Sequence, residues 1–191
     1  RRFNSPNDIV VRSDGTIWFS DPAYGIESDY EGFQAEPELD GEHVYRLNPA
    51  NGECAQVTND LTTPNGLAFS LDEKTLYVSD TGMHRFPSGE HHLRAFTVEP
   101  DGSLSDGAIF AECENGVFDG FRLDNQGRIW TSATDGVHCF HPDGTLLGKI
   151  FVPELVSNLC FGGPKLNRLF ITASTSIYAV WLAASGARVF E

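Results

Sequence analysis

One short pattern is written four times along this chain, and it constrains the fold more than any other feature. It reads FNSPNDIVVRSDGTIWFSDPAYG from Phe3 to Gly25, then TPNGLAFSLDEKTLYVSDTG from Thr63 to Gly82. It returns as GVFDGFRLDNQGRIWTSATDG from Gly116 to Gly136, and as VSNLCFGGPKLNRLFITAST from Val156 to Thr175. Each copy is a β-rich run, a polar turn and a second β-rich run. Superposed, Asn7, Asn65, Asp119 and Asn158 share one column, while TIWFSD, TLYVSD, RIWTSA and RLFITA share another. The column residues are 58, 54 and 39 positions apart, intervals that bracket the period of propeller blades.

Each copy continues into a second pair of runs around a turn. NPANG, EPDG and HPDG are the turns of the first three, and AASG stands in the same place in the fourth. The pattern predicts four strands per unit and hence an all-β chain, a β-propeller with four blades visible. Helical periodicity is scarce. The first unit opens on its inner strand, which predicts that upstream blades are missing. With 40% hydrophobic residues the chain can build a real core, and residues 1–191 read as a single, partial propeller domain.

Charge and composition narrow the function. A net charge of −14 argues against nucleic acid, whose phosphates require a basic surface. No apolar run approaches a membrane span, and RRFNSPND has no apolar segment of a signal peptide. The chain reads as soluble, with cytoplasm and a secreted or periplasmic location both open. The only methionine is Met83, so the chain reads as processed or as part of something longer. The four cysteines form no CxxC pair, and Cys139 and Cys160 lie in apolar runs that suggest buried thiols. No G-x-S-x-G elbow and no HExxH pair is present.

The repeat also implies a site. Strand direction alternates within a blade, so residues before the first strand and after the second share one face. That face receives Asn7, Asp8, Asn65, Asp119 and Asn158, together with Asp21, Asp80 and Thr134. Singly, each is an ordinary turn former. As a column they aim oxygen donors at the propeller axis, a set suited to calcium, magnesium or manganese rather than structural zinc. Trp18, Tyr77, Trp130 and Phe170 share the second-strand column, a regularity that predicts packing between blades.

NSPND, DGTIWFSDPAYG, PNGLAFSLDEKTLYVSD, FDGFRLDNQGRIW and SNLCFGG together resemble the gluconolactonase/regucalcin (senescence marker protein) family. The SDPAYG form is most similar to its bacterial and fungal gluconolactonase branch. The resemblance implies a six-bladed propeller, of which this chain holds approximately blades three to six. It also implies an axial divalent cation, most often calcium, with magnesium, manganese or zinc as alternatives, and a small sugar lactone such as glucono-1,5-lactone as substrate. By motif, Asn65 and Asp119 resemble metal ligands, Asp119 also being the catalytic carboxylate. Asn7 resembles a residue contacting metal or substrate, and Asn158 one serving blade structure. Arg2, Asp8, Tyr24 and His84 are candidates for substrate contact at the rim. One departure matters: the family's further Glu ligand lies upstream of anything in this sequence, so a complementary chain or an upstream segment would have to supply it. Two rival readings keep the fold. One is a metal-dependent phosphotriesterase or aryl esterase; the other is a non-catalytic propeller that binds a protein partner.

Overall fold

Alternating apolar and polar residues, broken by Asp-Gly and Asn-Gly turns, fold into short antiparallel strands. The computed structural model describes residues 1–84 and 87–188. The first sheet holds β1 (Ile9–Val11), β2 (Ile17–Asp21), β3 (His43–Asn48) and β4 (Glu53–Thr58) in chain order. The second holds β5 (Pro64–Phe69), β6 (Thr75–Asp80), β7 (His92–Val98) and β8 (Leu104–Glu112). The third holds β9 (Phe121–Leu123), β10 (Ile129–Ala133), β11 (Gly136–Phe140) and β12 (Leu146–Phe151). The fourth holds β13 (Val156–Gly162), β14 (Arg168–Ala173) and β15 (Ile177–Trp181). One helical turn, α1 (Tyr24–Glu27), follows β2. β1, β5, β9 and β13 contact one another in succession, so they are the innermost strands of four propeller blades.

Three of the four side chains in the expected column, Trp18, Tyr77 and Trp130, pack between blades, whereas Phe170 is half-buried with Arg168 of its own strand over its ring at 4.9 Å. Trp18 is fully buried among Leu67, Phe69 and Val78 of the second blade, its ring edge-on to Phe69 at 5.3 Å. Tyr77 of the second blade joins Phe118 and Phe121 of the third. Trp130 joins Leu159 and Ile171 of the fourth, with Phe161 edge-on at 6.1 Å. Truncating a buried aromatic of this kind to Ala costs about 3–5 kcal/mol. The inter-blade seams are therefore where the fold holds its stability.

Two expectations are corrected. The sequence assigns four strands to every unit, but among the described residues the fourth blade has three. After β15 the chain leaves that blade: Gly186 bridges to Asp124, and Ala187 N–H donates to Leu123 O at 3.0 Å beside the third blade's innermost strand. Cys160 is exposed rather than buried, because β13 turns it toward the far end of the central channel. Cys139 is buried as expected, and no disulfide forms among the described residues.

Three of the four blades tie the segment before the inner strand to the end of the second strand through a carboxylate. In the first blade the carboxylate of Asp21 accepts from Asn4 N–H at 2.9 Å and Ser5 N–H at 2.8 Å. In the second, Asp80 accepts from Thr62 N–H at 2.8 Å and Thr63 N–H at 2.9 Å. The fourth blade reverses the direction. There Glu154, which precedes the inner strand, accepts from Thr175 N–H at 2.6 Å and from the Tyr178 hydroxyl at 2.6 Å. The third blade has Ala133 in that column. A neighbouring network, Asp135 with His138 at 2.6 Å and Lys149 at 3.2 Å, lies beside it.

Candidate active site at the channel mouth

Asn7, Asn65 and Asp119 meet at one end of the channel because each stands at the start of an innermost strand. Asn7 Nδ2 donates to Asn65 Oδ1 at 2.7 Å, and the Asn65 amide donates in turn to the Asp119 carboxylate. Two glycines permit the close approach. A Cβ on Gly66 would lie 2.3 Å from Asp119 O, and one on Gly120 would lie 2.3 Å from Asn158 Cγ. Serines of the second-strand column lock the arrangement. Ser79 Oγ lies 3.3 Å from Gly66 O and 3.1 Å from Asp119 O of the next blade. Ser132 Oγ repeats this with Gly120 O at 2.8 Å and Ser157 O at 3.2 Å.

Above this chain opens a cavity of about 510 Å³, lined among others by Asn7, Tyr24, Glu31, Asn65, Asp119 and Thr134. Burial, and after it the nearby charge of Asp8, push the Asp119 carboxyl up to about 7; the Asn65 hydrogen bond opposes them and Glu31 adds to the rise. A carboxyl poised there exchanges protons near neutral pH, which is what a general base needs.

The structure brings together Asn7, Asn65, Asp119 and Tyr24 from the sequence-derived candidates, and separates the others. The Tyr24 hydroxyl pairs with Thr81 at the cavity wall. Arg2 does not reach the cavity: its guanidinium pairs with Glu38 at 2.6 Å on the exposed surface. Asp8 does not line the cavity either. It follows Asn7 and so turns away from the mouth, facing Arg122 at 3.6 Å and capping Ile9 N–H at 2.8 Å. Its influence is electrostatic, through Asp119. Asn158 holds its own backbone, accepting from Leu159 N–H at 2.8 Å. The side chain of His84 lies outside the described residues. Asp21 and Asp80 are on the expected face but are spent on backbone N–H groups. Sequence reasoning missed Glu31, which carries no repeat signal, and the serine column, whose repetition was visible.

Among the described residues no cluster of three or more His, Cys, Asp or Glu side chains could hold a metal. A cation at this site would rest on one carboxylate and two amide oxygens. The donor chemistry fits a hard divalent ion. The fit is also electrostatic, since the Asp119 carboxylate is buried near two other acids and its pKa is driven upward.

Comparison with known proteins gives the family. Residues 1–175 match the family model described as the SMP-30/Gluconolactonase/LRE-like region, and the chain belongs to that family. It is 35% identical over 194 aligned residues to a gluconolactonase of Zymomonas mobilis, covering 94% of this chain and 51% of the relative. It is 31% identical over 139 residues to the pentonolactonase XacC of Haloferax volcanii, covering 70% of this chain and 45% of that protein. A solved gluconolactonase structure from Xanthomonas campestris superposes with a TM-score of 0.86 at 42% identity, covering 98% of this chain and 58% of the other. The chain thus spans about half the length of the curated relatives it matches. No helix among the described residues is long and apolar enough to cross a membrane.

Proposed function

We propose that this chain carries the active site of a sugar-lactone hydrolase acting on glucono-1,5-lactone or a close relative. The observation that carries the reading is the relay Asn7–Asn65–Asp119 on the floor of the cavity, with Asp119 raised to about 7. The gluconolactonase and pentonolactonase names of the relatives support the substrate class.

In this reading a lactone ring enters the cavity with its carbonyl toward the channel floor. Asp119 takes the proton of the attacking water as general base. Asn65 fixes the Asp119 carboxylate by hydrogen bonding, and Asn7 fixes Asn65. Asp8 raises the basicity of Asp119 from below, while Arg122 limits that charge. A divalent cation held by Asn7, Asn65 and Asp119, calcium first and magnesium, manganese or zinc as alternatives, would supply Lewis-acid polarisation of the carbonyl. The reading of residues 1–191 as approximately blades three to six of a six-bladed ring belongs to the same proposal. It is supported by the half-length span and by the exposed apolar side chains of the fourth blade, Ile177 and Trp181, at 75% and 65% exposure. An upstream segment or a complementary chain would cover them.

The test is proton release from glucono-1,5-lactone by the full-length protein, stripped with chelator and resupplied with each cation, beside Asp119→Ala. Cation-dependent turnover lost in Asp119→Ala is the expected result. Turnover unaffected by that change, or none with any cation, overturns the proposal in favour of an esterase with another base or of a binding propeller.

A further inference from the structure

We propose that Arg122 is a counter-charge built into the central channel: paired with Asp8, it sets how tightly the Asn7, Asn65 and Asp119 site holds its divalent cation. The proposal rests on the cation of the lactone-hydrolase reading, and on the following placement.

Both residues are exceptions to the repeat. The position after the site column is Gly66, Gly120 and Leu159 in the last three blades, but Asp8 in the first. Two positions further on stand Val10, Ala68 and Phe161, but Arg122 in the third blade. The structure brings these two exceptions together. Asp8 precedes β1 and Arg122 lies in β9, two blades away, yet Arg122 Nη1 is 3.6 Å from Asp8 Oδ2. Arg122 lines a second cavity, of about 410 Å³, toward the far end of the channel, whereas Asp8 lines neither cavity.

The carboxylate of Asp8 is short of partners. Its side chain is 12% exposed. Oδ1 caps Ile9 N–H, but Oδ2 is buried and accepts no hydrogen bond among the described residues. A carboxylate in that state needs a positive charge beside it, and Arg122 supplies one at ion-pair distance. The guanidinium is held in turn by its own strand, Nη1 donating to Phe121 O at 2.6 Å. Asp8 follows Asn7 in the chain, and its charge reaches Asp119. With Arg122 in place, much of that charge is cancelled before it reaches a cation at the mouth. Without Arg122, the cation would feel the whole of Asp8 through an interior that salt screens poorly.

The experiment uses the full-length protein with Arg122→Met, Arg122→Lys, Asp8→Asn and the double change Asp8→Asn with Arg122→Met, each checked for folding by its thermal transition. Calcium binding is followed by calorimetry at about pH 9, above the Asp119 value of about 7, so that protons do not compete. Arg122→Met should tighten calcium about tenfold, and Asp8→Asn should weaken it by a similar factor. The double variant should return to within about threefold of wild type, and so should Arg122→Lys, which keeps the charge. A purely structural role would weaken binding in every variant. In chelator, Arg122→Met should lower the urea midpoint by leaving Asp8 uncompensated, and adding Asp8→Asn should raise it again. Should Arg122→Met alone fail to fold, the weakening by Asp8→Asn and its recovery in the double variant carry the test. Unchanged or weaker calcium binding in Arg122→Met, equal tightening by Arg122→Lys, or no recovery of affinity or midpoint in the double variant each overturn the proposal. No calcium binding by wild type overturns it together with the cation on which it rests. Calcium binding without lactone turnover refutes the hydrolase reading alone, since the affinities still judge Arg122.

Discussion

Asp80, fully buried, and Asp119, half-buried on a cavity wall, are carboxylates on the same face of neighbouring blades, and they have opposite fates. Both oxygens of Asp80 accept backbone N–H groups, at 2.9 and 2.8 Å, and its residue is 1% exposed. Asp119 has the Asn65 amide and the Gly120 N–H on its side, against burial and two nearby acids, and its pKa rises to about 7. A buried carboxylate saturated by the backbone holds a blade together. One left under-compensated at a cavity floor is available to bind a cation or move a proton.

The largest effect that would break this comparison is catalytic. Asp119→Asn should lower kcat for glucono-1,5-lactone at least about 10³-fold with the thermal transition retained, read by steady-state proton release and by calorimetry. A fall of less than tenfold would make Asp119 another structural carboxylate. Next in size is a stability effect. Asp80→Ala leaves the buried Thr63 N–H and the part-buried Thr62 N–H without their acceptor and should destabilise the fold by about 2–3 kcal/mol, measured by denaturant unfolding. Its kcat, taken well below the transition, should stay within a few-fold of wild type. Equal damage to catalysis and folding by both changes would erase the distinction.

A smaller effect concerns pH. A carboxyl whose folded pKa, about 7, lies above its ordinary value of 3.8 binds more protons folded than unfolded between those limits. Stability from Asp119 is therefore fully present below about pH 4 and is lost as pH rises through about 7. In chelator, Asp119→Asn should flatten this slope and be the more stable protein at pH 8, by on the order of 1–3 kcal/mol. Saturating calcium should stabilise wild type at pH 8 and leave Asp119→Asn almost unmoved. Denaturant midpoints across pH 5–8 decide it.

The blade pattern was legible because strand alternation and turn chemistry are local, and four copies reinforce one another. The Asn7, Asn65 and Asp119 column was legible for the same reason. What repetition cannot encode was missed. Glu31 depends on a loop folding back across Gly25 and Gly32, a path set by long-range contacts. The direction of Asp8 depends on its being the residue after Asn7, where Gly66 and Gly120 stand in the next two blades. Arg2 was placed by resemblance, but the strong nearby acceptor Glu38 takes its guanidinium. The last segment carried a plausible turn, AASG, yet its backbone finds partners beside β9 instead.

The fourth blade sharpens the comparison from the other side, and the effect expected there is the smallest. Glu154 makes the same tie as Asp80 but from the opposite end of the loop and in contact with solvent. The Tyr178 hydroxyl first, and then the groups of Thr175 and Ser176, hold its carboxyl down to about 2. A depressed carboxyl gives stability above its ordinary value of 4.5 and loses it as pH falls through about 2. Water can replace each of those partners at an exposed site, so little of the interaction survives as net stability. Glu154→Gln should therefore lower the thermal midpoint at pH 7 by no more than about 2 °C, and the difference from wild type should vanish by about pH 2. A loss as large as that of Asp80→Ala would mean that the tie itself, and not the burial of its carboxylate, is what the propeller requires.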